Sequence, residues 1–145
     1  MRGILGIVAG ALLLSACHQQ PAEPAVEKAW ARLPAVSGRP GAAYFTLKGG
    51  SQADKLVGIA SPAATRAELH ETMQHGGMSM MQPLREVALD AGKTVNFAPG
   101  GRHVMLFGLS PSLKPGAQIP LVLSLASGKK LEAQAQLVGA GDPQP

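Results

Sequence analysis

The segment LVLSLASGKKLEAQAQLV, residues 121–138, carries two runs rich in alternating apolar and polar residues on either side of Ala126, Ser127, Gly128 and Lys129. Period-two alternation marks a strand with one buried face, and a short Gly-containing break between two such runs marks a β-hairpin. The same pattern recurs outward from it. AWARL (29–33), AAYFTL (42–47), KLVGIA (55–60), TRAELHE (65–71), TVNFA (94–98), RHVMLFGL (102–109) and IPLVLSL (119–125) are short runs broken by Gly, Pro, Ser and Asp. Short strands at such spacing predict an all-β sandwich. The roughly 110 residues after the N-terminal segment suffice for one core, hence a single domain, and no internal repeat is evident.

Composition narrows the function classes. Only five aromatic residues are present, Trp30, Tyr44, Phe45, Phe97 and Phe107. The core must therefore rest on Val, Leu, Ile and Ala, and a base-stacking surface is excluded. The 13 Lys and Arg against 9 Asp and Glu give a formal charge of +4, but the basic residues are dispersed and point to no nucleic acid.

The N-terminus reads as a lipoprotein signal peptide over residues 1–16. Arg2 precedes the apolar run ILGIVAGALLL, and Ser15 and Ala16 precede Cys17. The run is too short for a stable membrane span. LSAC (14–17) is similar to the bacterial lipobox, which makes Cys17 the lipidation site and accounts for the sole cysteine. Residues 17–27 then form a lipidated cysteine and polar, proline-containing tether, 28–138 the folded domain, and 139–145 a short polar tail. An oxidoreductase working through Cys17 is excluded by the same reading, because a lipidated sulfur cannot cycle.

Chemistry concentrates between His70 and Met105. Five of the six methionines (Met73, Met78, Met80, Met81 and Met105) and three of the four histidines (His70, His75 and His103) fall in this stretch. Methionine used only as core filler would be scattered. Thioether and imidazole together suit Cu(I), whereas hard cations take oxygen and structural zinc usually takes thiolate, which the stretch lacks. HETMQH (70–75) is one residue too long for the HExxH of zinc peptidases. On a helix His70 and His75 would stand about 140° apart, so that reading fails on geometry.

His70 and Met81 are separated by ten residues, Met81 and His103 by twenty-one, and His103 and Met105 by Val104 alone. With this spacing the chain resembles the PCu(A)C family of periplasmic copper chaperones, whose signature is His-x10-Met-x21-His-x-Met. AWAR (29–32), AAYFTLKGG (42–50), DKLVGIASPAATRAELHE (54–71) and PGGRHVMLFGL (99–109) also look like family segments. The resemblance implies a Greek-key β-sandwich of cupredoxin type. It implies one Cu(I) per domain, held by His70, Met81, His103 and Met105, and no enzymatic activity. The implied acceptor is the Cu(A) subunit of cytochrome oxidase or a Sco-type thiol protein. The chain is expected to act as a monomer on the extracytoplasmic side, attached through its lipid. His18, rather than Asp, after Cys17 favours the outer membrane if the organism has one. Some family members carry a His- and Met-rich C-terminal tail, but GAGDPQP (139–145) holds neither residue.

On these elements, His103 and Met105 share one face of a strand, delivered by the turn at Pro99, Gly100 and Gly101. His70 is expected near the end of the strand TRAELHE. Residues 72–80 are expected to loop out, returning at Met81, with His75, Met73, Met78 and Met80 in a mobile segment. Two other readings stay open. One is a copper-sequestering lipoprotein without specific delivery, and the other is an adhesion-like sandwich in which these residues only pack.

Overall fold

In the computed structural model of the protein, which describes residues 22–145, ten strands form, eight of them from the alternating runs. They are β1 (Ala25–Arg32), β2 (Gly41–Lys48), β3 (Asp54–Ala60), β4 (Arg66–His75), β5 (Met78–Pro83), β6 (Val87–Leu89), β7 (Thr94–Phe97), β8 (Arg102–Phe107), β9 (Gln118–Leu125) and β10 (Lys130–Val138). No helix occurs among the described residues. The expected signal peptide, Cys17 and residues 18–21 of the tether lie outside them.

The hairpin at 121–138 forms as its alternation predicts. Ser124 pairs with Lys130 and Ile119 with Ala135, and Gly128 takes the turn with φ of 91°. Every second residue of β9 from Ile119 to Leu125 is buried, which is the period-two pattern of a strand with one face in the core.

Hydrogen bonding runs through the strands in the order β5-β4-β8-β2-β1-β10-β9-β3-β6, with β7 on β2. Of these pairings only β1–β10 is parallel. That pairing joins the two layers of the expected sandwich edge to edge. Leu69, Val104, Leu106, Phe45 and Leu47 from one layer and Leu56, Leu89, Ile119, Leu121, Leu123 and Leu137 from the other form one buried cluster. Phe45 and Phe97 stack within it at 4.4 Å between centroids. Burial of this apolar surface, at about 25 cal/mol per Å² removed from water, is the main term holding the layers together.

Two elements differ from the sequence reading. Residues 72–80 are not a loop: β4 continues to His75 and returns through β5 as a hairpin, with Thr72 opposite Met81 and His75 opposite Met78. The two-residue turn is Gly76-Gly77, with φ of 57° and 80°. Positive φ at both central residues is what such a turn needs, and two glycines supply it without strain. β6 was also unexpected, because three residues are too few to show a period. At the N-terminus β1 starts at Ala25, so Ala25–Glu27 of the expected tether already pair with β2. At the other end the Arg32 guanidinium donates to the carbonyls of Gly139, Ala140 and Asp142 and ties the tail to β1.

Candidate metal centre

β2 explains how the fold presents its chemical residues. Phe45–Lys48 of β2 pair with β7, and Gly41–Ala43 pair with β8 on the same edge. Between β7 and β8 the chain must therefore turn away and return. Pro99, Gly100 and Gly101 make that turn, closed by the Gly101 N–H to Ala98 C=O bond of 3.0 Å. β8 then enters with His103 and Met105 on one face and Val104 and Leu106, both fully buried, on the other.

β4 lies antiparallel beside β8. His70 is directly opposite His103 and Glu68 directly opposite Met105, so all four share a sheet face. Thr72, two residues along β4, shares this face and brings its partner Met81 onto it from β5. Thus His70, Met81, His103 and Met105 are brought to the outer face of three adjacent strands, as strand alternation predicts for His103 and Met105. His75, Met73, Met78 and Met80 are not part of this group. The i+5 separation of His70 and His75 puts them on opposite faces of β4, which also removes the HExxH arrangement.

The imidazole rings of His70 and His103 lie 5.9 Å apart between centroids. Each ring has one nitrogen engaged by an acceptor. The Nδ1–H of His103 donates to the Gly101 carbonyl at 3.0 Å, and the Nε2–H of His70 donates to Glu68 Oε2 at 3.0 Å. A carbonyl or carboxylate can only accept, so whenever the rings are neutral these contacts decide which nitrogen carries the proton. They leave a bare lone pair on Nε2 of His103 and on Nδ1 of His70. The latter is the one buried side-chain polar atom without a hydrogen-bond partner among the described residues. Such an orphan is costly in an ordinary core and suits a metal ligand. The Gly101 carbonyl also accepts the Thr72 N–H at 3.0 Å, which ties β4 to the turn that orients His103.

Glu68 carries electrostatic weight here. The hydrogen bond from His70, and then the charge of Arg66, hold its carboxyl below the usual carboxylate range. Arg66 Nε donates to Glu68 Oε1 at 2.6 Å, while the guanidinium lies over the Phe107 ring at 4.1 Å. Sequence reasoning missed Glu68 and Gly101. For Glu68 a signal existed, since a carboxylate two residues before a histidine shares its strand face.

Exposure across the centre is graded. His103 is 7% exposed, Met105 half-buried and Met81 58% exposed. The histidines are thus set in the sheet, whereas the Met81 thioether stands open to solvent. Two neutral imidazoles and two neutral thioethers form a soft, uncharged donor set.

Fold and centre together define a β-sandwich protein with a soft His/Met face. The LpqE-like family, whose members are named as lipoproteins, matches residues 24–137, and the chain belongs to it. A relative from Leifsonia xyli subsp. xyli, named as lipoprotein Lxx21020, is 36% identical over 130 residues, covering 86% of this chain and 78% of the relative. The solution structure of CuI-DR1885 from Deinococcus radiodurans is 32% identical with a TM-score of 0.63, over 85% of this chain and 82% of that one. The copper-bound PCuAC domain of PmoF2 has the same fold, with a TM-score of 0.66 over 81% of this chain and 93% of that one at 19% identity.

Proposed function

We propose that the protein is a copper chaperone that binds one Cu(I) through His70 Nδ1, His103 Nε2 and the sulfurs of Met81 and Met105. The observation that carries this reading is the pair of tautomer-fixed imidazoles, each with a bare nitrogen, on the sheet face that also bears the two methionines. DR1885, 32% identical to this chain, takes up Cu(I) in its solution structure, which supports it.

Release follows from the same chemistry. The donor set is neutral, so bound copper keeps its single positive charge and is drawn toward an anionic thiolate on an acceptor. Met81, the most exposed ligand, is the one an incoming thiolate displaces first. Methionine in place of cysteine also suits an oxidising compartment, where a thiolate pair would form a disulfide. The protein acts extracytoplasmically, held to a membrane by lipid on Cys17, and needs no catalytic residue. Its acceptor is the Cu(A) subunit of cytochrome oxidase or a Sco-type thiol protein.

The test is transfer. The Cu(I)-loaded protein is mixed with each acceptor, and the metal is followed after separation. Movement of copper at a rate above that of free diffusion from a chelator of equal affinity supports delivery. Retention of copper against both acceptors would instead identify a sequestering lipoprotein.

A further inference from the structure

The β4–β5 hairpin carries a second set of soft donors on its other face. The β4–β8 ladder ends at Glu71, and the Thr72 N–H bond to Gly101 is the next tie beyond it. From there to Met81 the hairpin is a two-stranded ribbon. Thr72, Gln74, Ser79 and Met81 share the face of the centre already described, with Gln74 hydrogen-bonded to Ser79. Met73, His75, Met78 and Met80 share the opposite face, with Met73 directly across from Met80 and His75 from Met78.

Packing does not account for these residues. Met73 is 46% exposed, Met78 68% and Met80 59%, and His75 is exposed as well. An exposed ribbon would ordinarily carry polar side chains on such a face. Cross-strand partners have Cβ atoms about 4.5–5.5 Å apart, so three flexible thioethers and one imidazole lie within reach of a common cation. Among the described residues no group of three or more His, Cys, Asp and Glu side chains is placed to hold a metal. Three of the four donors in this cluster are thioether sulfurs, and sulfur with imidazole selects Cu(I).

We infer that Met73, His75, Met78 and Met80 form a second Cu(I) site, weaker than the first. It rests on the reading of the protein as a Cu(I) carrier. The site is weaker because its donors sit on a solvated ribbon and, among the described residues, no acceptor fixes the tautomer of His75, in contrast to His70 and His103.

The experiment is an anaerobic Cu(I) titration of the full chain carrying Cys17→Ser, so that no thiol competes, against a chromophoric Cu(I) chelator. Two equivalents are expected, the second at least tenfold weaker. Its binding should shift the methyl NMR signals of Met73, Met78 and Met80. Combined Met73→Leu, His75→Asn, Met78→Leu and Met80→Leu should abolish the second equivalent and leave the first unchanged. Combined Met81→Leu and Met105→Leu should weaken the first and leave the second. Saturation at one equivalent in the parent chain, or a second equivalent that survives the fourfold variant, would overturn the inference while leaving the first site standing. Failure of the parent chain to bind any copper would remove both.

Discussion

His70 on β4 and His103 on β8 stand directly opposite each other in an antiparallel ladder, with rings 5.9 Å apart and inclined by 27°. Both imidazoles are positioned by a sheet whose other face, Leu69 and Val104, is buried in the core. The pair is thus set by folding before any metal arrives. Only the thioethers, on longer and freer side chains, need to adjust around it.

Met105→Leu keeps volume and apolarity, so stability should change by less than about 1.5 kcal/mol while affinity for the first Cu(I) falls clearly. Chelator competition and thermal melts check the two halves. Unchanged affinity would take Met105 out of the centre. Met78→Leu should leave the first equivalent untouched.

Glu68→Gln removes the anionic acceptor that fixes His70 with Nδ1 bare. An amide can offer either its oxygen or its NH₂, so the tautomer is no longer imposed. Metal affinity should fall roughly 10–100-fold, the range for loss of such a supporting contact, with little change in melting temperature. Equal affinity in the variant would show that Glu68 does not orient His70.

Protons compete with Cu(I) for the two imidazole lone pairs, whereas thioethers do not titrate. Apparent affinity should therefore fall in acid, with a limiting slope of two protons per copper, about a hundredfold per pH unit. A competition titration from pH 5 to 9, corrected for the chelator's own protonation, measures this slope. An acid-flat curve would indicate a methionine-only site.

Asp54 offers a pH effect on stability away from the centre. Its carboxyl is held below the usual range, chiefly by the Ser127 hydroxyl, with the backbone N–H groups of Lys55 and Ser127 and the charge of Lys129 adding to it. A carboxyl depressed in the folded state stabilises above the unfolded value, about 4, and loses that contribution as pH falls through its folded value. The stability advantage of the parent over Asp54→Asn should accordingly be flat near neutrality and shrink below about pH 4. Denaturant melts at pH 7 and pH 3 test this, and a constant difference would rule it out.

Gly108, just past β8, has φ of 67°, and a Cβ there would meet Thr65 Oγ1 at 2.2 Å. Gly108→Ala should cost at least about 1 kcal/mol from backbone strain alone, with the clash added. Gly77→Ala has positive φ but open space around it and should cost only the strain. Equal melting temperatures for the two variants would contradict the role of Thr65.

Cys17→Ser should abolish lipid modification and move the protein out of the membrane fraction. Fractionation with mass spectrometry of the N-terminus checks it. Persistence with the membrane would refute the lipobox reading.

The sequence alone determined what is local. Alternation in LVLSLASGKKLEAQAQLV marked both strands and the turn of the last hairpin, and the same period put His103 and Met105 on one face. The spacing of His70, Met81, His103 and Met105 singled them out as a group, through family resemblance rather than any period. What it could not determine was register, since a slip of one residue would turn His70 toward the core. Register was decided by the burial of Leu69 and Val104 against the opposite layer and by the turn at Gly101. The same limit applies to 72–80, where the sequence predicts a loop and the structure has a hairpin. Its methionines alternate with Thr72, Gln74 and Ser79, but Gly76 and Gly77 cut that alternation into pieces too short to mark strands, and the Gly76-Gly77 turn with the β4–β5 ladder holds them instead. The tautomers, too, belong to the tertiary structure, because Glu68 and Gly101 fix them through contacts that exist only once β4 and β8 lie side by side.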